Sequence, residues 1–138
     1  MADYARIDAL ILAAGEDTLN SAVIDTVNDY AYFGTDTDPG KVVKVRLSDF
    51  TEVGSIIFAA GEDNPHSAVI DTVNGYAYFG TRSSPGKVVK VRLSDFTEVA
   101  TLTFATGENR PRSAVIDTVN GFAYFGCENS PEIGRAHV

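Results

Sequence analysis

The chain has 138 residues, 44% of them hydrophobic, with a formal net charge of −8 and a single cysteine, Cys127, enough for one domain with a packed core. The acidic balance lacks the basic footprint of a nucleic-acid binder and favours solubility, and one cysteine cannot form an internal disulfide. The longest apolar run near the N-terminus, Ala9 to Ala14, is too short for a signal peptide or a membrane span, so a cytoplasmic protein without nucleic-acid or membrane partners is predicted.

Taken in chain order, residues 1–20 acquire meaning only from the repeats after them. Ser21 opens SAVIDTVNDYAYFG, Ser67 opens SAVIDTVNGYAYFG and Ser113 opens SAVIDTVNGFAYFG, an interval of 46 residues in a chain three times that long. A fixed period of this size marks repeats that cannot bury their apolar faces alone and stack on copies of themselves. Within residues 21–66, Ala22 to Ile24 is a short apolar run rich in β-branched residues, read as strand A. Asn28-Asp29, replaced by Asn74-Gly75 and Asn120-Gly121 in the other copies, reads as a two-residue hairpin turn of type I′. Tyr30 to Phe33 follows as strand B. From Val42 to Leu47 the chain alternates, with Val43, Val45 and Leu47 on one side and Lys44 and Arg46 on the other, the pattern of a half-buried strand C. Ser48-Asp49 breaks it, and Val53 to Ala59 forms strand D, with Ile56 and Phe58 on one face.

The same strands recur in residues 67–112. Residues 113–138 end after strand C, where EIGRAHV (132–138) stands in place of GKVVKVR, and this degenerate strand is expected to pair poorly or to be partly disordered. Residues 1–20 supply the rest of a unit: MADYARID matches LSDFTEVG at 47–54, and LILAAGED matches IIFAAGED at 56–63. Three whole units are present, cut at a permuted point. A fragment of a longer tandem array is the alternative.

Helical repeats of similar period need amphipathic helices of about ten or more residues, whereas Gly, Pro, Asn or Asp interrupts every run here. Four-stranded units of about 40–50 residues are the signature of β-propeller blades. The AVID, YAYFGT, GKVVKVRL and SIIFAAG segments resemble the four strands of NHL, YVTN and quinoprotein-like blades. The chain has no Trp, so the Trp-Asp dipeptide of WD40 blades is missing, as are the paired glycines of kelch blades. Quinoprotein cofactor residues have no counterpart, and no cofactor is expected. The predicted fold class is an all-β propeller with three four-stranded blades per chain. A propeller has about four to eight blades, so two chains are expected to close a six-bladed ring, with nine blades from three chains as the alternative. The strand-D segment with Ile7, Leu10 and Leu12 would then clasp the unit begun at residues 113–138 of the partner.

Functional candidates come from comparing the copies. The A-to-B and C-to-D turns barely differ. The B-to-C and D-to-A loops, which share the opposite face, diverge: Asp36 and Asp38 in the first copy, His66 and Arg82 around the second, Arg110 and Arg112 before the third. These six are the candidate ligand-binding residues, with the arginines as forks for a carboxylate or phosphate. Exposed loops are also weakly constrained, and drift alone would diversify them. Asp36 and Asp38 with Glu16 offer oxygen ligands of the kind calcium takes, but two carboxylates in an exposed loop are ordinarily solvated, and no metal is assigned. Glu16, Glu62 and Glu108 recur in every copy and read as structural at the strand-D exit. Asp25, Asp71 and Asp117 read as turn-stabilising acceptors. No Ser-His-Asp, Cys-His or HExxH grouping occurs, and no catalytic residue is assigned. The sequence therefore points to a non-enzymatic propeller that binds a small molecule or a protein. The alternatives are a metal-dependent hydrolase of the lactonase kind and a structural module without a ligand.

Overall fold

The computed structural model describes residues 4–128 and 131–138. Among the described residues eleven strands form three antiparallel sheets. The first holds β1 (Leu19–Asp25), β2 (Tyr30–Thr35), β3 (Lys41–Arg46) and β4 (Thr51–Ile57), and the second β5 (Pro65–Asp71), β6 (Tyr76–Thr81), β7 (Lys87–Arg92) and β8 (Thr97–Thr103). The third holds β9 (Pro111–Asp117), β10 (Phe122–Cys127) and β11 (Ile133–His137), the three strands that residues 113–138 were expected to supply, the fourth being expected from the N-terminal segment of a partner. Strands are paired in sequence order, and the first strands β1, β5 and β9 lie side by side at the hub.

The β1–β2 connection differs from the two-residue turn expected. It spans Thr26 to Asp29, and positive φ occurs only at its last position, 72° at Asp29, 82° at Gly75 and 79° at Gly121. The reason is the preceding aspartate. Asp25 Oδ1 accepts the N–H groups of Val27 and Asn28 at 3.1 and 3.0 Å, and Oδ2 accepts the Asn28 side-chain amide at 2.8 Å. Asp71 and Asp117 make the same three bonds. A carboxylate that satisfies three donors favours the wider loop over a tight hairpin, and the turn-stabilising role read for these aspartates is what they perform.

The core lies between sheets. Tyr32, Val42 and Phe58 of the first sheet pack on Phe79, Val89, Val91 and Leu93 of the second, and Val69, Tyr78, Val88 and Phe104 of the second pack on Ala123, Phe125 and Ala136 of the third. Phe58 meets Phe79, and Phe104 meets Phe125, edge-on at centroid separations of 6.0 and 5.9 Å, a favoured aromatic geometry. Strand C of the first two sheets is therefore not half-buried as its alternation suggested. Both its faces are sandwiched, and Lys44 turns into the gap between sheets with its ammonium 4.0 Å from the centre of the Tyr30 ring, as Lys90 does over Tyr76. The ring quadrupole holds the charge there, and burial pushes the Lys44 ammonium below its ordinary pKa while the Asp25 carboxylate opposes the shift.

The degenerate third strand C is paired, contrary to expectation, because its register slips by one residue. Gly34 faces Val42 and Gly80 faces Val88, eight residues on, whereas Gly126 faces Ile133, seven on. A one-residue slip exchanges the faces of a strand, and here it restores the pattern of the other copies. Ala136 takes the buried place of Val45, and Arg135 takes that of Lys44, with its guanidinium 4.8 Å from the centre of the Phe122 ring. Val138 N–H donates to Gly121 O at 2.8 Å, as Leu47 N–H does to Asp29 O at 2.9 Å.

Strand D begins at Thr51 rather than at Val53, since the ladder shifts between Lys44 and Val45 and leaves Val53 unpaired. The N-terminal counterpart of this strand is not part of any sheet. Leu10 and Leu12 nonetheless line a groove with Leu19, Phe33, Val45 and Phe50 on the outer face of the first sheet, while Ile7 is exposed. The segment thus occupies, relative to the first sheet, the place that Ile56 and Phe58 occupy relative to the second.

Candidate functional site

The divergent loops meet at one end of the hub, and a backbone irregularity aims their side chains. In each sheet the first and second strands lose register after one pair. Leu19 faces Thr35 and Ser21 faces Gly34, so Asn20 is skipped; His66 and Arg112 are skipped in the same way. Each is the extra residue of a β-bulge, a device that re-aims a side chain at a strand end. The residue two positions before each bulge is left-handed, with φ of 51° at Thr18, 47° at Asn64 and 48° at Arg110. Sequence reasoning missed the bulges and the strained residues before them. The only hint in the sequence is the Asn-Pro and Arg-Pro steps at 64–65 and 110–111.

His66 is the most enclosed of the candidates. Its side chain is 9% exposed, its Nε2 lies 3.7 Å from Asp36 Oδ1, and that nitrogen has no hydrogen-bond partner, the separation being too long for one. Burial pushes the imidazole below its usual pKa. Asp36 pulls the other way, and the charges of Arg112 and Arg82 add to the depression. His66 is held between an acidic loop of the first sheet and basic residues of the second and third.

The three arginines are not equivalent. Arg112 Nη1 lies 3.2 Å from Glu128 Oε1 and Arg110 Nη1 lies 3.9 Å from Glu128 Oε2, so a carboxylate of the chain already faces both. Arg82 is exposed, and among the described residues it forms no ion pair. Asp36 is tied through its backbone N–H to Thr18 O at 2.8 Å. Asp38 is exposed near Asp63, whose carboxyl is pushed up by burial and then by the Asp38 charge.

Glu16 does not join Asp36 and Asp38. It is buried and turned toward the sheet, where its Oε2 accepts Ala13 N–H at 3.2 Å, as Glu62 accepts Ala59 N–H and Glu108 accepts Ala105 N–H. Among the described residues no three His, Cys, Asp or Glu side chains come together as metal ligands. His137 of β11 lies against Phe122 of β10 with the rings tilted, at a centroid separation of 5.2 Å, on a different strand from the His66 site. Cys127 is partly buried and its thiol is pushed up, first by burial, which makes it a poor nucleophile at neutral pH.

Among the described residues no helix is long and apolar enough to cross a membrane. No protein-family profile and no curated protein matches the sequence. Among solved structures, the chain is similar to the RRP9 WD40 repeats, with a TM-score of 0.67 at 11% identity over 83% of this chain, and to U3-55K, with a TM-score of 0.66 at 11% identity over 83% of this chain. It spans 34% of the length of each. At this identity the likeness concerns the fold, and the missing Trp-Asp dipeptide does not set the blades apart from WD40 blades in shape: the sheets are stacked as blades of a β-propeller.

Proposed function

We propose that the chain is half of a six-bladed, non-enzymatic propeller that closes by pairing with a second copy and uses its divergent loop face to bind a partner carrying carboxylate or phosphate groups. The observation that carries the first part is the exposure of both end faces of the stack. Ile24 on the first sheet and Val115 on the third are 53% and 67% exposed, whereas Val69 of the middle sheet is 6% exposed. Apolar sheet faces left open in this way mark an interaction surface, and a twofold pair is the simplest closed assembly. Light scattering on the purified chain is expected to give twice the chain mass, and a stable monomer at about 100 µM would end this reading.

The loop face supports the second part through His66, whose buried and unpartnered nitrogen sits beside Arg82 and Arg112. Arg82, which forms no ion pair among the described residues, is the guanidinium left to meet an anionic group. Titration with a glutamate-rich peptide and with inorganic phosphate, followed by NMR, is expected to move the His66 and Arg82 resonances, and Arg82→Ala to abolish the effect. Unmoved resonances with both probes would remove the anionic partner. The strand motifs and the absence of Trp support a likeness to NHL, YVTN and quinoprotein-like blades.

A further inference from the structure

We propose that residues 5–11 of one copy form the fourth strand of the third sheet of a second copy, in a register that sets Asp8 opposite Arg135 and Arg6 beside Glu108. The inference rests on the self-association proposed above, and it adds which edges meet and in what alignment.

The register follows from the complete sheets. In the first sheet Val42 faces Ile56, Val43 faces Ser55, Lys44 faces Gly54, Val45 faces Glu52 and Arg46 faces Thr51. The second sheet repeats this, with Lys90 facing Ala100 and Val91 facing Glu98. In the third sheet the one-residue slip puts Ile133 in the place of Val42 and Arg135 in that of Lys44, and residues 5–11 match 51–57. Transferring the ladder sets Leu10 opposite Ile133, Ala9 opposite Gly134, Asp8 opposite Arg135, Arg6 opposite Ala136 and Ala5 opposite His137.

Two charge changes coincide at this seam. Where the inner sheets place Lys44 or Lys90 opposite Gly54 or Ala100, with no charge to meet, the transferred ladder gives Arg135 a carboxylate. Directly opposed residues of an antiparallel pair point to the same face, and opposite charges there attract. The second change involves the exit glutamates. Glu62 approaches Glu98 on the outer strand of the following sheet, and Glu16 approaches Glu52. Glu108 follows the second sheet in the same way, so its neighbour belongs to the outer strand of the third, and the residue matching Glu52 and Glu98 is Arg6. A carboxylate pair becomes an ion pair at each of the two seams that two copies would share.

The edges suit the pairing. The groove beside β11, lined by Thr101, Leu102, Ala136 and His137, lies where β4 and β8 run in the complete sheets. Ser21 Oγ and Ser67 Oγ donate to the carbonyls of Pro65 and Pro111 on the next inner strand, at 2.7 and 2.8 Å. Leu19 matches these prolines in the repeat, so Ser113 is set to donate to Leu19 O of the second copy.

The test uses charge reversal in trans on the full chain. Asp8→Arg alone opposes two cations at both seams, and Arg135→Asp alone opposes two carboxylates. Each is expected to raise the dimer dissociation constant about tenfold or more, read by light scattering across a dilution series at low salt. Mixing the two variants gives a heterodimer with the unmodified Asp8–Arg135 pair at one seam and the same pair with its charges exchanged at the other. This is expected to return the constant to within about threefold of the unmodified chain. Damage to folding in either variant cannot be repaired by mixing. If the unmodified chain dimerises but the single variants dimerise equally well, or their mixture does not recover, the register is overturned and self-association stands. An unmodified chain that stays monomeric overturns both.

Discussion

The carboxylates Glu62 and Glu98 meet where the exit loop of the first sheet crosses the outer strand of the second, and their pairing makes stability depend on pH with a definite sign. Glu62 is 5% exposed, accepts the Thr101 hydroxyl on one oxygen and holds Ala59 N–H on the other at 3.1 Å. Glu98 is pushed up to about 7, chiefly by burial and then by its hydrogen bond to Glu62 and the Glu62 charge. An acid whose folded pKa is raised binds its proton more tightly folded than unfolded. Its contribution is therefore complete below about pH 4.5 and is lost as pH rises through about 7. The interval from 4.5 to about 7 corresponds to about 3.4 kcal/mol at about 1.4 kcal/mol per pH unit, and because Glu98 is only partly buried, solvent screening reduces this to about 1–2 kcal/mol. Glu98→Gln keeps a donor toward Glu62 without a titrating group. In urea denaturation followed by far-UV circular dichroism at fixed protein and salt concentration, the variant is expected to match the parent within about 0.5 kcal/mol at pH 4.5 and to exceed it by about 1–2 kcal/mol at pH 8. Parallel stability curves for the two proteins between pH 4.5 and 8 would refute the assignment of this pH dependence to Glu98.

Asp71→Ala removes three hydrogen bonds to a buried carboxylate and is expected to cost about 2–3 kcal/mol, read as a lower urea midpoint with an unchanged m-value. Ser67→Ala orphans the Pro111 carbonyl between two sheets and is expected to cost about 1 kcal/mol by the same measure. A Cβ on Gly134 would come within 2.7 Å of the Phe104 ring, so Gly134→Ala is expected to cost about 1–3 kcal/mol through overpacking. Thr18→Asn should gain about 0.5–1 kcal/mol, because Thr18 is β-branched at φ 51° while Asn64 already occupies the same left-handed position.

The blade was legible because its signals are local and occur more than once. The aspartate before Thr-Val-Asn and the glutamate after Gly15, Gly61 and Gly107 stand in every copy, and a side chain that satisfies backbone groups two or three residues away needs nothing distant to be read correctly. What escaped the sequence depends on neighbours. Alternation at Lys44 looked like a solvent-facing row, since a lysine between two sheets is tolerable only with an aromatic ring beneath it, and that ring comes from another strand. The slip of EIGRAHV was hidden because alignment by the 46-residue interval puts Ile133 against Lys41, whereas pairing puts it against Val42. At the candidate site, the bulges that aim Asn20, His66 and Arg112 leave no composition signal, and the pairing of Arg110 and Arg112 with Glu128 could not be inferred from loops aligned one at a time.

Three copies of one strand in three settings separate what a sequence dictates from what its neighbours add. SAVID folds into the same bulged strand and the same aspartate-closed turn whether it lies inside the stack or at its end, so local hydrogen bonding fixes the conformation. Burial does not follow sequence: Ser67 is 4% exposed and Val69 6%, while the identical Val115 is 67% exposed. In a stack of this kind, stability is a sum of unit terms and interface terms, and the end units lack one interface each. Any further sheet docked on an end unit would bury residues whose inner copies are already buried. Arg6, Asp8 and Arg135 lie at the edges where an identical repeat would have placed Glu, Gly or Ala, and Lys. Departures from the repeat at those edges have a physical use only if another edge meets them, whereas departures in the loops can be of use to any ligand.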